Sequence, residues 1–384
     1  ALGAAVRADA RITPQPGSPA TLVAMSGGVD SAVAAHLCTQ TGATLAVTLQ
    51  LWGDAENDAE RSCCSATAVA QARSLAHQMG IPHFTIDLRE EFRAGVVDPF
   101  IAGYAAGETP NPCVGCNGHV RLDAMLELAD RLGCSALATG HYARTAESEH
   151  ARGPLLRAAA DSAKDQTYML AALKPESLSR MRFPLGELHK PRVREIAAQA
   201  GLPVASKVDS QDLCFLAGTS RARFMERHGG IEGHPGEIVD SRGAVLGGHD
   251  GQHRFTVGQR RGIGIHATEP LYVLGKDGAS GRVTVGTREE LQTDRVAIRA
   301  VRLHRDASRV NSVKLRYRQR PLPARVAGAP GYPGYPGEGR HRSLSLQLAE
   351  PVDGAAPGQL ACLMDRDLVV GWGTIDGRAG RGHT

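Results

Sequence analysis

The chain has 384 residues, 42% hydrophobic and 22% charged, with a formal net charge of +4, an ordinary globular composition with room for two or three domains. Eight cysteines in this length are too sparse for a disulfide-stapled scaffold. No apolar stretch reaches the roughly 20 residues that a membrane helix needs.

Residues 1–20, rich in Ala, Arg and Pro and lacking a continuous apolar core, read as a mostly disordered leader rather than a signal peptide, with a cytoplasmic location for the protein. Residues 21–25 form a short apolar strand that runs into Ser26-Gly27-Gly28-Val29-Asp30-Ser31, and 31–41 have helical character. A second buried strand is predicted at 45–51, an Ala-rich helix at 62–79 stopped by Gly80, and a third strand at 83–87. A helix at 118–132 ends at Gly133, and another strand follows at 135–139. Strands alternating with helices of this length predict an α/β domain with a parallel sheet covered on both faces, here 21–216. From 217 to 292 helical periodicity fades and turn pairs such as Gly247-Gly248 and Asp250-Gly251 recur, the mark of a small β-rich domain. Residues 293–384 continue with short strands at 312–317 and 344–349, interrupted by a Pro/Gly-rich loop at 328–337.

Charge is spread unevenly. Between Arg295 and Arg325 there are ten Lys or Arg and one acid, Asp306. Such a tract suits a solvated strand face and equally a polyanion, whose phosphates each add salt-sensitive affinity.

The Ser26–Ser31 loop sits where a strand turns into a helix. Gly27 and Gly28 let the backbone approach an anion closely, and the helix start adds a favourable dipole. Ser26 and Ser31 supply hydroxyls, and Asp30 suits Mg²⁺ on a released pyrophosphate. The Gly-Lys-Ser/Thr ending of the Walker loop is absent, and two glycines also serve a plain turn. Three further cysteines stand in unusual settings, Cys113 and Cys116 in Thr109-Pro110-Asn111-Pro112-Cys113-Val114-Gly115-Cys116-Asn117 and Cys214 in Asp209-Ser210-Gln211-Asp212-Leu213-Cys214-Phe215. Cys38, Cys134 and Cys362 lie in apolar surroundings and read as small core residues. The neighbours Cys63-Cys64 read as a coincidence at a helix start.

The loop resembles that of the PP-loop ATP pyrophosphatases, which cleave ATP between the α and β phosphates and adenylate a carbonyl oxygen. Five blocks narrow the resemblance: the two cysteine segments, Ala138-Thr139-Gly140-His141-Tyr142-Ala143-Arg144, Lys164-Asp165-Gln166-Thr167-Tyr168 and Thr256-Val257-Gly258-Gln259-Arg260-Arg261-Gly262. Their order is that of the bacterial-type tRNA-specific 2-thiouridylases, over residues 21 to the C-terminus. The resemblance implies ATP- and Mg²⁺-dependent 2-thiolation of a tRNA wobble uridine, with sulfur arriving from a donor protein such as a cysteine desulfurase or persulfide relay. It also implies a C-terminal β-barrel-like domain that grips tRNA. A free monomer is expected.

By the same resemblance Cys214 is the persulfide carrier and Cys116 the nucleophile that resolves it. ATP would meet Ala24, Met25, Ser26, Gly27, Gly28, Val29, Asp30, Ser31, Leu51 and Gly140. Asn111, Pro112 and Cys113 would line the target-base pocket, and His141, Lys164, Asp165, Gln166, Arg316, Tyr317 and Gln359 would meet tRNA. Cys113 departs from the family pattern, which carries an acid/base Asp there; a thiol of lowered pKa is one substitute. A [4Fe–4S] cluster on Cys113, Cys116 and Cys214 is an alternative, as is a zinc site completed by His119 or Cys134. Each residue also has a plainer reading: Leu51 as core, His141 as packing, Asp165 as a helix cap. Two other classes stay open, an amide-forming PP-loop ligase and an RNA-binding protein without catalysis.

Overall fold

Short β-rich runs separated by Ala-rich helical stretches dictate a layered sheet in the N-terminal half. The structure, a computed structural model, describes residues 6–8, 20–54, 65–147, 153–208, 213–231, 233–328 and 334–377. Two units emerge, Ala1–Val96 with Cys113–Thr219, and Val97–Pro112 with Ser220–Thr384. Among the described residues no helix is long and apolar enough to cross a membrane.

The first unit carries strands β1 (Val6–Ala8), β2 (Ala20–Ala24), β3 (Thr44–Gln50), β4 (His83–Asp87) and β5 (Cys134–Thr139). A hairpin of β6 (Arg144–Ala146) and β7 (Leu155–Arg157) follows, then the two-residue β8 (Met181–Arg182). The sheet order is β1-β4-β3-β2-β5-β8. The five strands β4, β3, β2, β5 and β8 run parallel, as the sequence predicts. Within the expected leader, β1 pairs antiparallel with β4, where it satisfies an edge that would otherwise present open N–H and C=O groups. The remainder of 1–19 lies outside the described residues.

Helix α1 (Val29–Thr39) follows β2, and α2 (Ala66–Gln78) follows β3. Ala32, Val33, Ala34 and Ala35 are all fully buried, so α1 is enclosed on nearly every side; its small residues make that possible. It packs in one core with Val23, Ala46, Leu75, Val193 and Ala197, the last two from a helix at Lys190–Gln199 that the sequence reading missed. Each fully buried valine there contributes about 1.5–3 kcal/mol. The helix expected at 118–132 begins six residues early: Pro112–Gly115 is α-helical, Cys116–Arg121 is a π-helical turn, and Leu122–Arg131 is α-helical. Proline opens a first turn without cost because its missing N–H has no partner to lose.

Burial pushes the Cys38 thiol up to about 11 and raises Cys134 as well. With Cys362 fully buried in a strand, these three are the inert core cysteines the sequence suggests. Cys63 and Cys64 lie outside the described residues.

The second unit opens its C-terminal part with a helix at Arg221–Gly229, capped by the Ser220 side chain and closed by Gly230 at φ 58°. Strands β9 (Gly236–Val239), β10 (Val245–His249), β11 (Tyr272–Lys276) and β12 (Val283–Gly286) form a sheet in the order β10-β9-β12-β11. Ile238, Phe255, Ile263, Val273, Val283 and Val285 form its core. Then β13 (Gln292–Leu303), β14 (Ser312–Lys314), β15 (Leu322–Val326), β16 (Gly339–Asp353), β17 (Leu360–Asp365) and β18 (Leu368–Ile375) close into a six-stranded antiparallel barrel, with β13 paired to both β16 and β18. Closure removes the sheet edges. In β13 the register shifts around Ala300, at φ 50°, so the buried set passes from Val296 and Ile298 to Val301 and Leu303, as a bulge requires.

The strand expected at 312–317 stops at Lys314. Leu315 N–H donates to Gln319 Oε1 and Gln319 N–H to the Arg316 carbonyl, which folds Arg316-Tyr317 into a turn. Of the Pro/Gly loop, 329–333 lies outside the described residues.

Candidate nucleotide and sulfur-transfer site

In the first unit β3 and β4 are laid down on one side of β2, and β5 on the other. The carboxyl ends of β2 and β5 therefore flank the switch point of the sheet, where open α/β sheets bind ligands. The Ser26–Ser31 loop leaves β2 there, and Gly140 leaves β5 beside it. Gly27 adopts φ 70°, a conformation that costs other residues strain. Ser26 N–H donates to Ser31 Oγ (3.1 Å) and Ser31 Oγ–H to the Gly28 carbonyl (3.0 Å), so the loop is closed onto the first turn of α1.

Gly140 has no room for a side chain. A Cβ would stand 2.7 Å from Ser31 N and 2.8 Å from the Asp30 carbonyl carbon, which are backbone atoms of α1. Gly140→Ala is expected to displace the loop, cost about 1–3 kcal/mol of stability and weaken ATP binding at least tenfold, measured by thermal melting and nucleotide titration. Unchanged affinity would mean that the loop tolerates the shift.

Asp30 is held by three contacts absent from the sequence reading. Lys190 Nζ donates to both carboxylate oxygens (2.7 and 2.8 Å), and Tyr142 Oη–H donates to Oδ1 (2.8 Å). The Lys190 side chain is only 9% exposed. Its position is fixed by Asp161, which accepts the Lys190 backbone N–H at 3.0 Å. A second ammonium, Lys207 Nζ, donates to the Gly27 carbonyl (3.1 Å) and Gln71 Oε1 (2.7 Å). Two lysines and the N-terminus of α1 thus surround one loop, an arrangement suited to polyphosphate. Neither lysine lies in a recognisable motif. Their contacts span 160 and 180 residues, beyond the reach of local patterns.

The tRNA-contact candidates of this unit divide. Gln166 braces Tyr142 from both sides, its Oε1 accepting the Tyr142 N–H and its own N–H donating to the Tyr142 carbonyl, each at 2.9 Å. Asp165 accepts from Ala159 N–H and Thr167 Oγ1 and so stitches its loop together. It does not cap the short helix at Thr167–Leu170, whose N-cap is Gln166. Lys164 is half-buried. His141 shares a 2.9 Å hydrogen bond with Thr139 Oγ1. Burial, aided by the Arg121 charge, lowers its pKa to about 3, so the ring is neutral at physiological pH. Below pH 6.5 the unfolded chain takes up this proton and the folded chain does not, so stability falls as pH drops toward 3. Relative to His141→Gln, the wild type is expected to lose about 1–2 kcal/mol more between pH 7 and 5, read from denaturant melts. Parallel curves would exclude a buried neutral imidazole.

Leu51, at the end of β3, is 1% exposed, a core position beside the loop's strand. Cys116, 6% exposed, opens the π-helical turn, a distortion that recurs at functional sites. Asn117 Nδ2 ties that turn to the Met169 carbonyl at 3.2 Å. Cys113, one turn earlier, is half-buried, as is Cys214. Cys214 begins a short 3₁₀ turn, and the next residue, Phe215, is driven into an aromatic cluster with Trp52 (6.5 Å between centroids) and Phe92 (5.9 Å). That buried ring anchors the half-buried cysteine beside it. Residues 209–212 of its block lie outside the described residues. Among the described residues no three His, Cys, Asp or Glu side chains gather as metal ligands, so the donor set fits neither the three-cysteine cluster nor the zinc site.

In the second unit, Gln359 Nε2 donates to the Thr109 carbonyl (2.6 Å) and Thr109 N–H to the Pro357 carbonyl (2.7 Å), which fixes the strand of chain leading to Asn111 and Pro112. Both of those residues are half-buried. Arg316 donates to the Asp353 and Gly354 carbonyls, and Tyr317 lies under the Arg318 guanidinium at 5.8 Å. The basic tract is only partly available: Arg299 pairs with Glu108 and Arg309 with Asp365, while Arg305 is buried. Arg295, Arg316, Arg318, Arg320 and Arg325 are exposed.

A parallel sheet with an anion-binding loop at its switch point defines an α/β domain of the HUP class. Residues 20–218 match the family model described as "tRNA methyl transferase HUP domain", and 222–287 match "tRNA methyl transferase PRC-barrel domain". The chain is 46% identical to a bifunctional protein NifU/MnmA of Rubrobacter xylanophilus, over 94% of this chain and 70% of that one. It is 40% identical to a tRNA-specific 2-thiouridylase MnmA of Geotalea uraniireducens (92% and 94% covered) and 42% identical to one of Acidithiobacillus ferrooxidans (93% and 98%). The chain belongs to the tRNA-specific 2-thiouridylase family.

Proposed function

We propose that the protein is a cytoplasmic tRNA-uridine 2-sulfurtransferase that makes 2-thiouridine at the wobble position from ATP, tRNA and persulfide sulfur. The observation that carries the reading is the Ser26–Ser31 loop at the sheet's switch point, ringed by Lys190 and Lys207, in one unit with Cys116 and Cys214. ATP would lie with its phosphates on the loop. Mg²⁺ fits the single carboxylate of Asp30 together with phosphate oxygens, a usual arrangement for that ion, and would neutralise phosphate charge. Lys190, already on Asp30, shares that carboxylate.

The uridine C2 carbonyl oxygen attacks the α-phosphate and pyrophosphate leaves. Cys214 carries the persulfide supplied by a donor protein. The Cys116 thiolate attacks Cys214 Sγ and expels hydrosulfide, forming a Cys116–Cys214 disulfide. Hydrosulfide adds to C2 of the adenylated uridine and AMP departs. A thiol reductant then restores both cysteines. Asn111, Pro112 and Cys113 form the base pocket, Cys113 replacing a family carboxylate as acid/base group, and the protein acts as a monomer when free. Anaerobic incubation with ATP, Mg²⁺, a persulfide source and unmodified tRNA, followed by mass spectrometry of digested RNA, tests the reading. 2-Thiouridine supports it. Bound tRNA with no thiolated product would overturn it in favour of a non-catalytic RNA binder.

A further inference from the structure

Cys113 and Cys116 stand three residues apart on one run of helical backbone. Pro112–Gly115 is α-helical, and Cys116 opens the π-helical turn that follows. Three helical steps separate two Cα atoms by about 5 Å, inside the roughly 4.4–6.8 Å over which a disulfide closes. The two thiols differ in access: Cys116 is 6% exposed, whereas Cys113 is half-buried. The chain after Cys116 is pressed against its neighbours. Asn117 Nδ2 donates to the Met169 carbonyl at 3.2 Å, and a Cβ on Gly118 would stand 2.8 Å from Ala172 Cβ.

Gly115, between the two cysteines, is the opposite case. Its φ of −63° and ψ of −42° are ordinary helix values, and an added Cβ would meet nothing within 4 Å. Neither backbone conformation nor crowding requires glycine there, and glycine weakens a helical turn relative to alanine. Its bare surface leaves an open approach to the turn that carries both sulfurs.

We infer that Cys113 is a second resolving thiol, which takes over the Cys116–Cys214 disulfide and hands the resulting Cys113–Cys116 disulfide to a dithiol reductant. The inference rests on the proposed sulfur-transfer reading, which leaves Cys116 Sγ bonded to Cys214 Sγ. Buried Cys116 is a poor target for a bulky reductant; half-buried Cys113, beside the open face of Gly115, is a better one. The exchange follows AMP departure, when the acid/base task of Cys113 is complete. Cys113 gives its proton to solvent and its thiolate attacks Cys116 Sγ. The Cys113–Cys116 bond forms, the Cys116–Cys214 bond breaks, and Cys214 leaves as a thiolate with the electron pair. One disulfide replaces another with no net oxidation. The dithiol reductant then supplies two electrons and two protons and departs as its own disulfide. Cys214 is thus ready for a new persulfide without meeting the reductant, which would also strip sulfane sulfur from it.

The test uses the full chain, with thioredoxin as the protein dithiol. One turnover without reductant is quenched in acid, and the thiols are alkylated and mapped by mass spectrometry. Wild type is expected to show a Cys113–Cys116 disulfide and alkylated Cys214. A Cys116–Cys214 cross-link with alkylated Cys113 would overturn the inference. Cys113→Asp supplies a carboxylate but no thiol, and its later turnovers are compared with its own first. With thioredoxin they are expected to slow about tenfold or more relative to wild type, with the Cys116–Cys214 cross-link accumulating. A small phosphine reductant is expected to restore them. Slow turnover that persists with the phosphine would assign the loss to acid/base chemistry and overturn the relay, as would repeated turnover of Cys113→Asp at the wild-type ratio. Resting wild type oxidised with glutathione disulfide, without tRNA, is mapped in parallel and is expected to give the Cys113–Cys116 pair. Wild type that makes no 2-thiouridine would remove the proposed function, and this last map then decides whether the two cysteines form a redox pair at all.

Discussion

Lys190→Ala is expected to lose ATP-driven turnover by about 10²-fold or more, the scale of removing one preorganised charge from a reacting phosphate. The physical reason lies in the carboxylate it touches. Both oxygens of Asp30 accept from Lys190 Nζ, with Tyr142 on one of them. Deleting the ammonium leaves a partly buried carboxylate facing incoming phosphates, and the missing cation becomes repulsion. Loss of this pair also costs folding free energy, about 1–3 kcal/mol because Asp30 retains some solvent. Lys190→Arg keeps the charge but brings a broader planar head, and partial activity is expected from it. The measurement is tRNA-dependent AMP formation beside a thermal melt. A folded Lys190→Ala protein making AMP at the wild-type rate would show that the lysine is a structural strut only.

Cys214→Ser is expected to abolish 2-thiouridine, by 10³-fold or more, since an alkoxide cannot carry sulfane sulfur. Cys116→Ser is expected to fail differently. Cys214 still loads, so its intact mass gains one sulfur atom that persists when adenylated tRNA is present. Without Cys116 no disulfide forms and no hydrosulfide leaves. Loading of the Cys116→Ser protein with normal release of sulfur would exclude Cys116 as the resolving thiol. Phe215 should influence both experiments, because its ring between Trp52 and Phe92 keeps the Cys214 turn from swinging freely.

The layered sheet was legible because its strands and helices are local patterns. Residues 83–87 were placed to the residue, and β2, β3, α1 and β5 to within about two, since short apolar runs bounded by glycine and turn residues are read locally. What escaped depends on distant partners. The turn at Arg316-Tyr317 is made by Gln319, against a strand-like run of alternating residues. The edge strand Val6–Ala8 exists because β4 needs a neighbour, not because three residues in an Ala-rich leader prefer extension. The site was half legible: Ser26–Ser31 and Gly140 carry glycine spacing with a mechanical meaning, whereas Lys190, Lys207 and Tyr142 are ordinary residues until the fold brings them to Asp30. Asp165 and Gln166 show the reverse. Their motif is distinct, yet their side chains are spent on holding the loop that positions Tyr142.

The 160-residue gap between Asp30 and Lys190 has a consequence for the protein's birth. Translation proceeds at about 5–20 residues per second, so the anion loop leaves the ribosome roughly 10–30 s before the cation that completes it. During that interval β2 has β3 for a neighbour, but the enclosing helix Lys190–Gln199 does not exist and one side of α1 stays wet. A nascent chain therefore carries the Ser26–Ser31 loop for that interval without the ammonium on Asp30, and the pair is completed in the same stretch of synthesis that delivers Cys214.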